Sequence, residues 1–82
     1  MDINIIESKI RNILKENVDL KIPIEQINLE DNLLQIGMDS INCIKVILGI
    51  EEEFNYQFDD EDLNYENFHN ISSLINYIKG NL

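Results

Sequence analysis

The chain has one cysteine, one histidine, one proline and three glycines among 82 residues. Each scarcity removes a class of function. A lone Cys43 rules out an internal disulfide framework. No activating partner stands near it in the sequence, so it is expected to face the core as a small apolar group. His69, with no paired cysteines, offers no zinc-ligand spacing. It also leaves any serine nucleophile short of a base. Ser40 is followed by Ile41 and Asn42, so the Gly-x-Ser-x-Gly elbow of a hydrolase is missing. The acidic stretch Asp59-Asp60-Glu61-Asp62 lacks the alternating carboxylates and central glycine of a calcium loop.

Positive charge is equally scarce. Six basic residues face sixteen acidic ones, for a net charge of −10. Such a surface is repelled by nucleic acid and by anionic lipid. With no basic recognition helix, helix-turn-helix DNA binding is excluded. No apolar run approaches the length of a membrane span. The acidic N-terminus lacks the apolar stretch of a secretory leader, so a cytoplasmic location is expected.

What remains is a small acidic domain, expected to span 1–82 as one unit. A chain of this length buries roughly two-thirds of its unfolded surface. That suffices for a modest core but not for a deep catalytic cleft. The acid is unevenly placed. From Val46 to Ile78 there are eight acidic residues and no lysine or arginine, a stretch suited to steering basic protein surfaces.

Apolar periodicity predicts helices. Ile3, Ile6, Ile10, Ile13 and Leu14 form one stripe over a first helix from Asp2 to about Asn17, with Asp2 as cap and Glu7 four residues before Arg11. Val18 to Gln35 reads as a long connection that Pro23 keeps from regular structure, in which Ile22, Ile24, Ile27 and Leu29 are expected to pin the loop to the core. Asp31 or Asn32 is placed to start a short turn through Leu33, Leu34 and Ile36. Tyr56 and Phe58 are expected to pack back onto the core, and Asp59 to Asp62 to open a short helix before Leu63. Ile71 to Ile78 reads as a last helix, with Leu74, Ile75 and Ile78 at helical spacing, Ser72 or Ser73 as cap and Gly80 as stop.

The chain is organised around Gly37-Met38-Asp39-Ser40-Ile41. Gly37 permits a sharp turn, and Asp39 and Ser40 are both suited to starting a helix. That helix is predicted from Ser40 to Phe54. Cys43, Val46, Ile47, Ile50 and Phe54 form its inward stripe. Ile41, Ile44 and Leu48 fall on the opposite side, fringed by Glu51 and Glu52. So small a bundle cannot cover one helix all round, so this second stripe is expected to face partners.

Leu33-Leu34-Gln35-Ile36-Gly37-Met38-Asp39-Ser40-Ile41, followed by Val46-Ile47-Leu48-Gly49-Ile50-Glu51-Glu52-Glu53-Phe54, resembles the acyl carrier protein family, which includes the peptidyl carrier proteins. The resemblance implies an all-α fold, a small four-helix bundle with a long first loop and a short third helix. It implies a 4′-phosphopantetheine arm on Ser40, donated by coenzyme A through a phosphopantetheinyl transferase that Asp39 contacts. It further implies a carrier rather than an enzyme, holding acyl or aminoacyl groups as thioesters. Its partners would be a loading enzyme and later biosynthetic enzymes with basic docking surfaces, met through Ile41, Ile44, Leu48, Glu51 and Glu52. The carrier is expected to be monomeric. Two positions depart from fatty-acid carriers: Lys45 stands where an acidic residue is common, and Asn42 replaces a common aspartate. With the late segment Asn67-Phe68-His69-Asn70-Ile71, they favour polyketide, nonribosomal-peptide or aminoacyl chemistry over fatty-acid synthesis. The competing reading is an acidic helical interaction module that is never modified.

Overall fold

The structure, a computed structural model, describes residues 2–58 and 68–81. They form three α-helices and two 3-10 turns, with no strand among the described residues. Helix α1 spans Ile3–Asn17, α2 Ser40–Phe54 and α3 Ile71–Asn81. The expected short helix after Asp59 lies outside the described residues, so the all-α class holds and a fourth helix is not counted.

Helix α1 begins at Asp2, whose Oδ1 accepts from the Asn4 amide at 2.8 Å. Ile6, Ile10, Ile13 and Leu14 are buried against α2 and α3. β-Branched isoleucine is a modest helix former, so burial of this stripe must stabilise the helix. Ile3, expected on the stripe, is instead 44% exposed, although Ile6 in the same turn is buried.

One side chain of α1 anchors the middle of the long connection. Arg11 Nη1 donates to the carbonyls of Ile24 (2.8 Å) and Ile27 (2.9 Å), while its Nε donates to Glu7 at 2.9 Å. The two isoleucines bury their side chains beside it. Ile22 and Leu29 do not share the pinning and are about 36–38% exposed. The 3-10 turn at Ile24–Gln26 breaks the loose alternation, leaving the flanking side chains at the surface.

The connection then crosses the start of α3. The Leu33 amide donates to the His69 carbonyl (2.9 Å) and the Ser72 amide to the Leu29 carbonyl (3.0 Å). Asn32 caps the second 3-10 turn, Leu33–Ile36. Neither Ser72 nor Ser73 caps α3. Asn70 does, its Oδ1 accepting from the Ser73 amide at 2.7 Å. Ile71 is fully buried, which starts the helix earlier than the serines suggest. Nor does Gly80 stop it: α3 continues to Asn81, and Gly80 sits in open space with no left-handed turn to make. Leu74, Ile75 and Ile78 lie in this helix as predicted, and all three are buried.

Helix α2 closes on Asn55, in the left-handed region at φ 50°. Beyond it Phe58 is buried, its ring 4.9 Å from Tyr77 and 5.5 Å from Phe68. Tyr56 packs edge-on at 5.3 Å. This aromatic group seals one end of the core, with Tyr56 half-buried at its margin.

Candidate functional site

The connection delivers a serine to the surface through a tightly determined turn. Gly37 adopts φ +129°, and its amide donates to the Leu33 carbonyl. The Met38 amide donates to the same carbonyl at 3.0 Å, and the Met38 side chain is buried. The Lys21 amide reaches the Ile36 carbonyl at 2.8 Å, fastening the turn to the chain leaving α1. Gly37 therefore does more than bend the chain; it allows two backbone segments to lie in contact.

Asp39 is the cap of α2. Its extended backbone and its Oδ1, 2.8 Å from the Asn42 amide, satisfy one of the unpaired donors of the first turn. Ser40 is the first helical residue, exposed, and its hydroxyl makes no hydrogen bond among the described residues. It stands at the positive end of a fifteen-residue helix. His69 lies at the start of α3, its Nε2 3.2 Å from Asn70 Nδ2 and its carbonyl engaged by Leu33. No described contact makes it a base for Ser40.

One face of α2 extends away from the serine. Ile41, Ile44 and Leu48 are 67%, 59% and 57% exposed. Lys45 and Glu52 are exposed beside them. Glu51 is not free: half-buried, its Oε2 accepts from the Phe58 amide at 2.9 Å and ties the segment after α2 to the helix. On the inner face Val46, Ile50 and Phe54 are buried, with Cys43 and Ile47 half-buried against the core. Burial pushes the Cys43 thiol above its ordinary pKa, so it is mostly protonated at neutral pH and a poor nucleophile.

Residues outside the motif hold this arrangement. Gly49 is where α1 and α2 approach, since a β-carbon there would stand 2.9 Å from Ile13 Cγ2. A glycine inside a helical pattern, disfavoured by propensity, is the sequence signal for such a contact. A surface groove of about 420 Å³ runs alongside, between Glu16 and Asn17 of α1 and Lys45, Leu48 and Glu52 of α2. It contains no catalytic set. Among the described residues no three histidine, cysteine or acidic side chains converge to hold a metal, and no helix is long and apolar enough to cross a membrane.

Residues 8–78, which contain this turn and face, match the family described as the phosphopantetheine attachment site. The chain belongs to this family of carrier proteins. The carrier is 34% identical to an aminoacyl carrier protein of Agrobacterium fabrum, over 85% of its own length and 84% of the relative's. It is also 34% identical to an acyl carrier protein of Buchnera aphidicola subsp. Baizongia pistaciae, over 90% and 91% of the two chains. Among solved structures it is similar to a chain from the complex of an engineered Bradyrhizobium japonicum glycine:[carrier protein] ligase with a carrier protein from Agrobacterium tumefaciens and ATP. There the TM-score is 0.85 at 32% identity, covering 90% of this carrier and 96% of that chain. It is likewise similar to a holo acyl carrier protein of Nitrosomonas europaea, with a TM-score of 0.80 at 27% identity and 93% coverage of both.

The cofactor of the carrier is covalently bound 4′-phosphopantetheine. The residues fit such a group. A solvent-exposed hydroxyl with no internal partner is open to modification. A phosphodiester on it would lie by the positive end of α2, where negative charge is favoured.

Proposed function

We propose that the protein is a discrete carrier whose Ser40 bears the phosphopantetheine arm, and that it serves aminoacyl or related secondary-metabolite chemistry with separate enzymes. The observation that carries this reading is the exposed Ser40 hydroxyl at the Asp39-capped start of α2, inside the matched span. The aminoacyl carrier relative and the ligase-bound structural neighbour support the aminoacyl lean.

In the loading reaction Ser40 Oγ attacks the β-phosphorus of coenzyme A. The bond to the departing adenosine 3′,5′-bisphosphate breaks, and the serine proton passes to a base of the transferase. Magnesium on the transferase offsets the phosphate charge. Asp39 holds the first turn in place and offers a carboxylate to a basic transferase surface. When bound, the arm supplies a terminal thiol that holds the acyl or aminoacyl cargo as a thioester. Everything else this chain does is presentation. Tethering raises the effective concentration of cargo at a docked active site. Ile41, Ile44 and Leu48 supply apolar contact, and Glu52 steers the encounter. Glu51 contributes charge, while its carboxylate remains tied to Phe58. At net −10, copies of the carrier repel one another, which favours a monomer in the cytoplasm. The amino acid is activated by an ATP-dependent ligase of the kind bound to the structural neighbour.

The test is intact mass after incubation with coenzyme A, magnesium and a broad-specificity phosphopantetheinyl transferase. The parent is expected to gain one phosphopantetheinyl group and Ser40→Ala none. Well-folded parent protein that gains nothing would overturn the reading in favour of an unmodified interaction module.

A further inference from the structure

The docking face of α2 is not uniformly acidic. Ile41, Lys45, Leu48 and Glu52 stand at spacings of four, three and four, which places them on one ridge. Lys45 is the only basic residue of α2 and sits on that ridge, exposed. Lys9 and Arg11 are held in ion pairs with Glu53 and Glu7, but Lys45 has no ion-pair partner among the described residues. Glu52 is two turns away, about 10 Å along the axis, too far for a direct pair. The ridge therefore reads apolar, positive, apolar, negative from the serine end.

Resting on the carrier reading above, we propose that Lys45 is a specificity residue for the loading ligase. The ligase is an ATP-dependent amino-acid-activating enzyme that sets a carboxylate opposite Lys45, apolar side chains over Ile41 and Leu48, and a basic residue opposite Glu52. The argument is charge complementarity. An enzyme that covers Ile41 and Leu48 strips water from the lysine between them, and an ammonium desolvated without a partner is costly. A uniformly basic docking surface would meet Lys45 with like charge. An enzyme with the matching carboxylate gains the contact and a fixed orientation along the helix. Glu16, Glu52 and Glu53 line the groove that Lys45 and Leu48 share with α1, whereas Ile41 lies outside it, so the partner's carboxylate approaches Lys45 from the Ile41 side, away from them.

The test uses holo protein, prepared to completion and verified by mass. Charging with glycine and ATP by the Bradyrhizobium japonicum glycine:[carrier protein] ligase is measured for the parent, Lys45→Glu, Lys45→Arg and Lys79→Glu. Lys79 is exposed on α3 and gives the same change in net charge away from the ridge. Lys45→Glu should lower kcat/KM about tenfold or more through KM, while Lys45→Arg stays within about twofold. Lys79→Glu should stay within about twofold, and the Lys45→Glu deficit should shrink as salt is raised. Equal kcat/KM for Lys45→Glu and Lys79→Glu would overturn the proposal. So would a holo parent that the ligase does not charge, a result that leaves the carrier reading intact. Failure of the parent to gain the phosphopantetheinyl group at all would instead remove the carrier reading itself.

Discussion

A β-carbon on Gly37 would lie 2.4 Å from the carbonyl oxygen of Asp19. The serine turn and the end of α1 thus meet backbone to backbone, and Gly37 also holds φ +129°. Gly37→Ala is opposed both by that contact and by the conformation. It should destabilise the fold by about 1–3 kcal/mol, read as a lower midpoint in urea. An unchanged midpoint would show that the turn relaxes freely.

The cap and the proposed modification site are separate residues. Asp39→Ala removes the bond to the Asn42 amide and should cost about 1 kcal/mol. Ser40→Ala removes no described hydrogen bond and should change stability by less than about 0.5 kcal/mol while abolishing loading. Thermal melts of the two variants, with mass spectrometry after transferase treatment, test the division. A Ser40→Ala variant as unstable as Asp39→Ala would contradict it.

Arg11 joins α1 to the connection through two carbonyls and Glu7. Arg11→Met keeps much of the apolar stem but leaves the Ile27 carbonyl without a donor among the described residues, while the Ile24 carbonyl keeps only the Ile27 amide. About 2 kcal/mol of stability should be lost, far more than an exposed ion pair would contribute. Loss of under ~0.5 kcal/mol in chemical denaturation would mean that water replaces the guanidinium.

Leu48→Glu should leave the thermal midpoint nearly unchanged, because the side chain is 57% exposed, a surface change within about 0.5 kcal/mol. It should slow charging by the ligase. Unfolding of this variant would show that Leu48 supports the core.

Cys43 has a pH signature. Burial raises its pKa, so at neutral pH less thiolate is present than in an unfolded chain, and alkylation of apo protein should be slower than that of a free cysteine peptide. The contribution to stability is present below the unfolded pKa and lost as pH rises through the raised folded value. Alkylation rates from neutral to alkaline pH, compared with Cys43→Ala melts, would check both. A rate at neutral pH matching the peptide would refute the burial argument.

The helices were legible because their signal is local. The stripes of α1 and α2, the start of α2 at Ser40 and the exposure of Ile41, Ile44 and Leu48 follow from a period of 3.6 residues and from the small size of the chain. The connection is less legible. Ile22 and Leu29 share the composition of Ile24 and Ile27, and only the turn at Ile24–Gln26 decides which pair is buried. Ser72 and Ser73 were as suitable for capping α3 as Asn70. The choice fell to Asn70 because burial of Ile71 drew that residue into the first turn.

The sequence by itself determined the all-helical class, the acidic surface, the offered serine and the two-faced second helix, since each depends on spacing within one segment. Tertiary structure alone decided which groups meet across segments. Arg11 finds two loop carbonyls, Glu51 is drawn to the Phe58 amide, and Gly49 lets α2 settle on Ile13. These pairings join residues from different parts of the fold, and backbone donors and acceptors are alike at every position. Only the packed chain brings one particular pair within bonding distance.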